Sequence, residues 1–397
     1  MNLRQLGVHI RTNKTIYSIY YYSFSSFFKL LKLFIPCNPK RILFVSFGGL
    51  KYDDSPKEIY MSMLKDRRFN NFEFIWAFIS PSKFNIPKGK IIKIDSLKYF
   101  YYAISSKIWI TNSSVERGLS LKRLRTIYFN TWHGTPIKKM GSDLADENES
   151  FTSKACSSWN VQLAQSQYEA DIFSRVFGLS KDKFKVIGLP RNDSLAHISE
   201  YDVMQVRKRL NLPEGKRIIL YAPTFREYAK DENNNSIFEI PINLKLWEKE
   251  LGQDYILLIR AHYDIVRSLN IPTTEFVKDF SSYNNLNDLM IASDILISDY
   301  SSIFFDYSIL GRPMLCYACD YDEYQQKRGL YFDIRSELAV NNNLSENDLI
   351  NEIKCLDYDF RKQVAINFRT KFVTEYGDAT DKSLDIIHDL ITQSHVN

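Results

Sequence analysis

The stretch Ser298-Asp299-Tyr300-Ser301-Ser302-Ile303-Phe304-Phe305-Asp306-Tyr307 follows the apolar run 294–297 and precedes Gly311-Arg312-Pro313. Its pattern predicts a strand, a tight turn and the first turn of a helix. Ser301 and Ser302 are small and suited to capping that helix. They leave backbone N–H groups directed beyond the strand end, where an anion is favoured. An ordinary capped helix behind a core strand would read the same way, so the stretch alone leaves both readings open. A second candidate is Trp132-His133-Gly134-Thr135-Pro136-Ile137-Lys138-Lys139, at the end of an apolar run over 126–132. A histidine at the start of a strand-to-helix loop titrates near neutral pH and can take a proton from a hydroxyl. Gly134 permits close backbone approach, and Pro136 suits the first turn of a helix. Lys138 adds positive charge useful for a phosphate-bearing substrate, although a solvated helix face or a structural histidine would also account for these residues.

Both candidates need strands to hold them. Runs at 41–47, 72–78, 91–94, 108–111, 126–132, 161–166 and 185–187 predict strands, with helix-compatible segments between several of them. The pattern resumes with strands at 217–222, 255–260 and 294–297, giving an α/β layout with parallel sheets and chemistry beyond the strand carboxyl ends. Gly48-Gly49 reads as a plain turn. In the second half, Thr224 with Arg226, Arg260 with His262, and Ser298 to Ser302 each close a strand at the same sheet edge. Arginine, imidazole, hydroxyls and free N–H groups together make a receptor for a diphosphate. Asp320-Tyr321-Asp322 resembles a metal-binding DxD, but the following Glu323-Tyr324 and Lys327-Arg328 favour a solvated acidic turn.

A chain of 397 residues exceeds what one core usually supports, so two domains are expected. With 45% hydrophobic and 25% charged residues it is globular. The formal charge of +5 suits anionic lipid or a phosphorylated substrate and gives no argument for nucleic acid. Five cysteines, an odd number, favour free thiols and a reducing compartment. Cys316 and Cys319 have no second pair to complete a zinc site, so packing is expected of them. Residues 16–35 are crowded with aromatics and flanked by Arg4, Arg11 and Lys14. Lys29, Lys32 and several serines make this a poor spanning helix, and no small-residue cleavage site follows. Two readings stand: peripheral attachment to the cytoplasmic leaflet, or a helix packed on the first domain. The expected division is an interface helix over 1–36, domains over 37–198 and 199–375, and a closing helix over 376–397. The turn Pro213-Glu214-Gly215 is taken as the passage between the domains.

TWHGTPIKKMG at 131–141, GLPRND at 188–193, YAPTFRE at 221–227, RAH at 260–262, SDYSSIFFDYSILGRP at 298–313 and DYDEYQQKRGLYFD at 320–333 stand in that order. With YGDATDKSLDII at 376–387, the set resembles the CDP-glycerol glycerophosphotransferase family of teichoic acid primases, polymerases and related capsule enzymes. The likeness covers roughly residues 40–390 and departs mildly at Phe225, where many members have tryptophan. It implies a GT-B architecture of two Rossmann-like domains, the first for the acceptor and the second for the CDP-linked donor. It also implies transfer of a polyol phosphate from CDP-glycerol or CDP-ribitol to a hydroxyl, with release of CMP. The acceptor would be a polyprenyl-linked glycan or a polyol-phosphate polymer. Residue by residue, it implies His133 as the base and His262 on the donor pyrophosphate. Ser301 and Ser302 would hold the same phosphates, framed by Asp299 and Asp306. Thr224, Arg226, Arg260 and Ser298 join the donor side; Gly134, Thr135, Lys138 and Arg191 join the acceptor side. No cofactor and no essential metal are expected. A glycosyltransferase using a sugar nucleotide, and a noncatalytic membrane-associated scaffold, are the rival readings.

Overall fold

The computed structural model describes residues 14–144, 156, 158–226, 228, 240–261, 271–340 and 345–396. Seven strands, β1 (Asn38–Val45), β2 (Glu73–Phe78), β3 (Lys90–Lys93), β4 (Ser106–Thr111), β5 (Ile127–Asn130), β6 (Val161–Ala164) and β7 (Phe184–Val186), form one sheet in the order β3-β2-β1-β4-β5-β6-β7. Five more, β8 (Arg217–Ala222), β9 (Tyr255–Ile259), β10 (Val277–Asp279), β11 (Ile295–Ser298) and β12 (Met314–Cys316), form a second in the order β10-β9-β8-β11-β12. All pairings in both sheets are parallel.

The strands read as continuous apolar runs because helices cover both faces of each sheet. Along β1, Ile42 and Phe44 enter one core cluster while Leu43 and Val45 enter another. This is the two-residue alternation of a pleated strand. In β8, Ile218 and Leu220 face one cluster, and Ile219 and Tyr221 the other. Each such side chain, withdrawn from water, contributes roughly 1.5–3 kcal/mol. The strand order reverses direction between β1 and β4 in the first sheet and between β8 and β11 in the second. At such a switch point adjacent loops part and leave a crevice beyond the strand ends.

The helix Glu200–Arg209 buries Val206 in the second lobe's core, and Arg207 donates to both carboxylate oxygens of Asp294 at 2.8 Å. The chain has therefore passed to the second lobe before Pro213-Glu214-Gly215. The closing helix Ala379–Val396 returns to the first lobe, where Leu384, Ile387 and Ile391 pack beside Ile42 and Phe44.

The helix Lys14–Phe34 packs on the first lobe along one face, as the second of the two readings expected. Phe28 is buried in the first lobe, with Tyr20, Leu31 and Ile35 against the same cluster. Lys32 Nζ donates to the carbonyls of Ser120 (3.0 Å) and Lys122 (2.9 Å), and the Tyr17 hydroxyl to that of Gly118 (3.1 Å). Tyr22, Phe27, Leu30, Leu33 and Phe34 are exposed on the helix. Among the described residues no helix is long and apolar enough to cross a membrane.

One expected element is absent. Pro136 does not begin a helix: Ile137 is buried in the second lobe's core, and Lys138 forms an antiparallel bridge with Leu330. The Lys139 N–H donates to the Gly329 carbonyl (3.1 Å) and the Tyr331 N–H to that of Ile137 (2.8 Å). A buried isoleucine and cross-lobe backbone bonds outweigh the local helical signal, because the segment spans from one lobe to the other.

Candidate active site

A cavity of about 620 Å³ lies between the lobes at the carboxyl ends of both sheets. From the first lobe it is lined by residues after β1 (Phe47, Lys51, Asp53), after β5 (Trp132 to Lys138) and after β7 (Arg191). From the second lobe come Thr224 after β8, Arg260 after β9, and Tyr300 to Ile303 with Asp306 after β11.

His133 is held from behind. Its Nδ1 lies 2.7 Å from the Asn112 carbonyl at the end of β4. A carbonyl only accepts, so Nδ1 carries the proton and Nε2 keeps its lone pair. Asn112 is itself fixed, its Oδ1 accepting from the Phe47 N–H at 2.7 Å. The imidazole stacks on Trp132, ring centres 4.6 Å apart, and meets Phe47 at 5.7 Å. Trp132 has φ of 53°, a left-handed conformation costing a bulky residue on the order of 1–3 kcal/mol. Packing offsets that cost: the indole is wedged against Phe173 and Phe177 at 5.4 and 4.8 Å. Its Nα–H also donates to Asn130 Oδ1 at 2.7 Å. Burial by the surrounding walls lowers the His133 pKa from its ordinary value, the Asn112 hydrogen bond opposing this. The ring is nevertheless open to water on the cleft side, which limits that shift.

The opposite wall is the turn after β11. Ser301 Oγ accepts from the Ile303 N–H at 3.3 Å, whereas the Ser302 side chain caps nothing in the short helix Ile303–Ser308. The expectation of two capping serines thus holds for Ser301 only. The N–H groups of Ser301 and Ser302 have no partner among the described residues, and both residues line the cavity. A methyl group added at Gly134 would lie 2.8 Å from Ser302 Oγ. A side chain there would have to displace the Ser302 hydroxyl, because the two loops come close across the cleft.

Ser298, Asp299 and Arg226 do not face the cleft, as direct donor contact would require; they sit behind the turn. Ser298 Oγ donates to the Ala222 carbonyl. Asp299 Oδ1 accepts from the N–H groups of Thr224 (2.8 Å) and Tyr300 (2.7 Å). Arg226 bridges Asp299 at 2.9 Å and Asp320 at 2.7 Å, its guanidinium 5.0 Å from the ring centres of Tyr300 and Tyr324. Asp320 is therefore not a solvated acidic turn: it binds an arginine 94 residues earlier and accepts from the Tyr300 hydroxyl at 3.0 Å. Cys316 is buried as expected, but Cys319 is exposed.

Arg260 lines the cavity and is braced by Nη1 donating to the carbonyls of Phe280 (2.9 Å) and Ser281. His262 lies outside the described residues. Of the residues expected on the acceptor side, Gly134, Thr135, Lys138 and Arg191 all line the cavity. Arg191 also closes an ion cluster, with Nη1 3.2 Å from Asp54 and Nη2 3.0 Å from Asp306 of the other lobe.

The sequence patterns did not single out Asn112, Phe47, Lys51 or Asp54, and gave no role to Trp132, which opens the quoted stretch. Asn112 ends WIT-N after β4 and was open to the rule that selected His133 after β5; Asp54 gives no such signal. The patterns also missed Glu169, wholly buried below this wall, where burial pushes the carboxyl up to about 7. A carboxyl raised on folding contributes stability that is fully present below its unfolded value and lost as pH rises through about 7. Glu169→Gln is therefore expected to remove a loss on the order of 3 kcal/mol between pH 5 and pH 8. Urea unfolding of both proteins at the two pH values checks this, and parallel pH dependence would refute it.

The family model described as CDP-glycerol:poly(glycerophosphate) glycerophosphotransferase matches residues 27–389. A teichoic acid poly(glycerol phosphate) polymerase of Staphylococcus epidermidis is 34% identical over 88% of this chain, which spans only 50% of that protein. A teichoic acid glycerol-phosphate transferase of Staphylococcus aureus is 32% identical over 92% of this chain and 96% of its own length. Among solved structures, a variant of the wall teichoic acid polymerase TagF superposes with a TM-score of 0.84 at 32% identity, covering 94% of both chains. A form soaked with CDPG superposes with a TM-score of 0.83 at 32% identity, covering 93% of both. Two parallel Rossmann-like sheets facing a cleft are the GT-B-like arrangement, and with a match across nearly the whole chain, this protein belongs to the CDP-glycerol:poly(glycerophosphate) glycerophosphotransferase family.

Proposed function

We propose that this chain transfers glycerol phosphate from CDP-glycerol to a terminal hydroxyl of a growing teichoic acid chain, releasing CMP. The observation that carries the reading is the meeting of the two loops. His133 presents a lone pair from one wall, and one residue later Gly134 approaches Ser302 of the turn whose N–H groups have no partner among the described residues. The acceptor oxygen attacks the phosphorus that carries the glycerol and passes its proton to His133 Nε2. The bond to the CMP oxygen breaks, and CMP leaves with the electron pair. Negative charge developing on that oxygen is met by the N–H groups of Ser301 and Ser302, Arg260 and, on the strength of the family motif alone, His262. This assignment routes no step through a metal. Glycerol is favoured over ribitol because both named staphylococcal relatives carry glycerol phosphate in their names.

Incubation with CDP-glycerol, CDP-ribitol and UDP-sugars, with and without EDTA, tests the reading. CMP release from CDP-glycerol that survives EDTA supports it. UDP release would replace it with sugar transfer, and loss in EDTA restored by magnesium would overturn the metal-free assignment. The exposed face of the helix Lys14–Phe34, with Lys29 beside it, supports attachment to the anionic cytoplasmic face of the membrane, where a polyprenyl-linked acceptor resides. Sedimentation with anionic vesicles that is unchanged on removing residues 1–36 would refute that placement.

A further inference from the structure

Beneath the cleft, a line of buried polar side chains joins its two walls. Gln165, just after β6, donates from Nε2 to Thr135 Oγ1 at 2.6 Å. Asn192 Nδ2 donates to Gln165 Oε1 at 3.3 Å and to Asp306 Oδ1 at 2.7 Å. Arg191 Nη2 holds both oxygens of Asp306, at 3.1 and 3.0 Å. Gln165 is pinned along its backbone as well: its N–H donates to Glu169 Oε2 at 2.7 Å, and its carbonyl accepts from the N–H groups of Thr374 and Glu375, both at 3.0 Å. Gln165 and Asn192 are fully buried, and neither lines the cavity. The line begins two residues after His133 and ends four residues after Ser302.

We infer that Gln165 and Asn192 are positioning residues which set the separation between the His133 loop and the Ser301–Ser302 turn. Apolar side chains would fill these positions at no desolvation cost, whereas a buried amide is costly unless hydrogen-bonded; Gln165 Nε2 and Oε1 and Asn192 Nδ2 are bonded, and Asn192 Oδ1 has no partner among the described residues. An amide presents a donor and an acceptor in fixed directions, so each bond locks a distance as well as a contact. Glutamine reaches the base-bearing loop, asparagine reaches the helix of the phosphate turn, and the two join through one hydrogen bond. Gln165 and Asn192 therefore couple the loop from one lobe to the turn from the other from outside the cavity. A displacement of about 1 Å between reacting groups costs on the order of 100-fold in rate.

The inference rests on the assignment of His133 as base, and the experiment separates the two. Steady-state kinetics with CDP-glycerol is measured for Gln165→Met, Thr135→Val, Thr135→Ser and His133→Ala, alongside urea unfolding. Gln165→Met and Thr135→Val are expected to lose roughly 10- to 100-fold in kcat, with KM for CDP-glycerol within about twofold of wild type. Thr135→Ser, which keeps the accepting oxygen, is expected to restore kcat. The double variant Gln165→Met/Thr135→Val should lose no more than the worse single one, because both break the same bond. Unchanged kcat in folded Gln165→Met or Thr135→Val, or losses that multiply in the double variant, would overturn the inference. If Gln165→Met does not fold, Thr135→Val against Thr135→Ser decides alone: equal kcat values refute it and a restored kcat supports it. Normal kcat in these variants with an inactive His133→Ala would refute the positioning role alone, whereas an active His133→Ala would remove the base assignment beneath it.

Discussion

His133→Ala is expected to lower turnover by ~10²–10⁴-fold while leaving CDP-glycerol affinity within a small factor of wild type. The ring stands on the first-lobe wall, across the cleft from the turn proposed to hold the donor, so its loss removes the proton acceptor and not the diphosphate receptor. The pH profile carries a second signature. A base works only when neutral, and burial lowers the His133 pKa below the ordinary value of 6.5. The acid limb of kcat/KM should therefore fall below pH 6.5 in the wild type. Calorimetric titration of CDP-glycerol into His133→Ala, with CMP release measured in parallel, checks both parts. Turnover within about tenfold of wild type, below what a general base contributes, would remove His133 from the mechanism.

Asp299→Ala is expected to cost on the order of 3–5 kcal/mol of stability and to abolish activity with it. Its carboxylate is 2% exposed and accepts from two backbone N–H groups and from Arg226. Truncation leaves those buried donors unmatched and Arg226 with Asp320 as its remaining carboxylate. Asp299→Asn keeps an oxygen for the N–H groups and should lose distinctly less. Urea unfolding midpoints of the three proteins give the answer; a midpoint for Asp299→Ala equal to that of wild type would show that the Thr224 and Tyr300 loops do not depend on this carboxylate.

Most strands were legible because they are buried on both faces: RILFV and YILLI can hardly be anything else, and the structure moves their limits by only a few residues; β10 and β12, three residues each, were not foreseen because they are too short to show a pattern. His133, Thr224, Arg260, Ser301 and Ser302 were found because parallel strands all deliver their carboxyl ends to one edge. What escaped was long-range. Pro136 carries a genuine helix-start signal, yet its loop is committed to Gly329 and Leu330, nearly two hundred residues away. Asp320 reads as solvated until Arg226 is placed beside it. Gln165 and Asn192 belong to no hydrophobic period and no motif of charge, so only their neighbours in space reveal them.

The bridge between Lys138 and Leu330 ties the His133 loop to the second lobe. Ile137 is rooted in the lobe opposite its own sheet, four positions beyond the imidazole. A swing of the second lobe away from the first must either unzip that short ribbon or drag the loop with it. In the latter case the imidazole travels with the second lobe and leaves the Asn112 carbonyl that orients it.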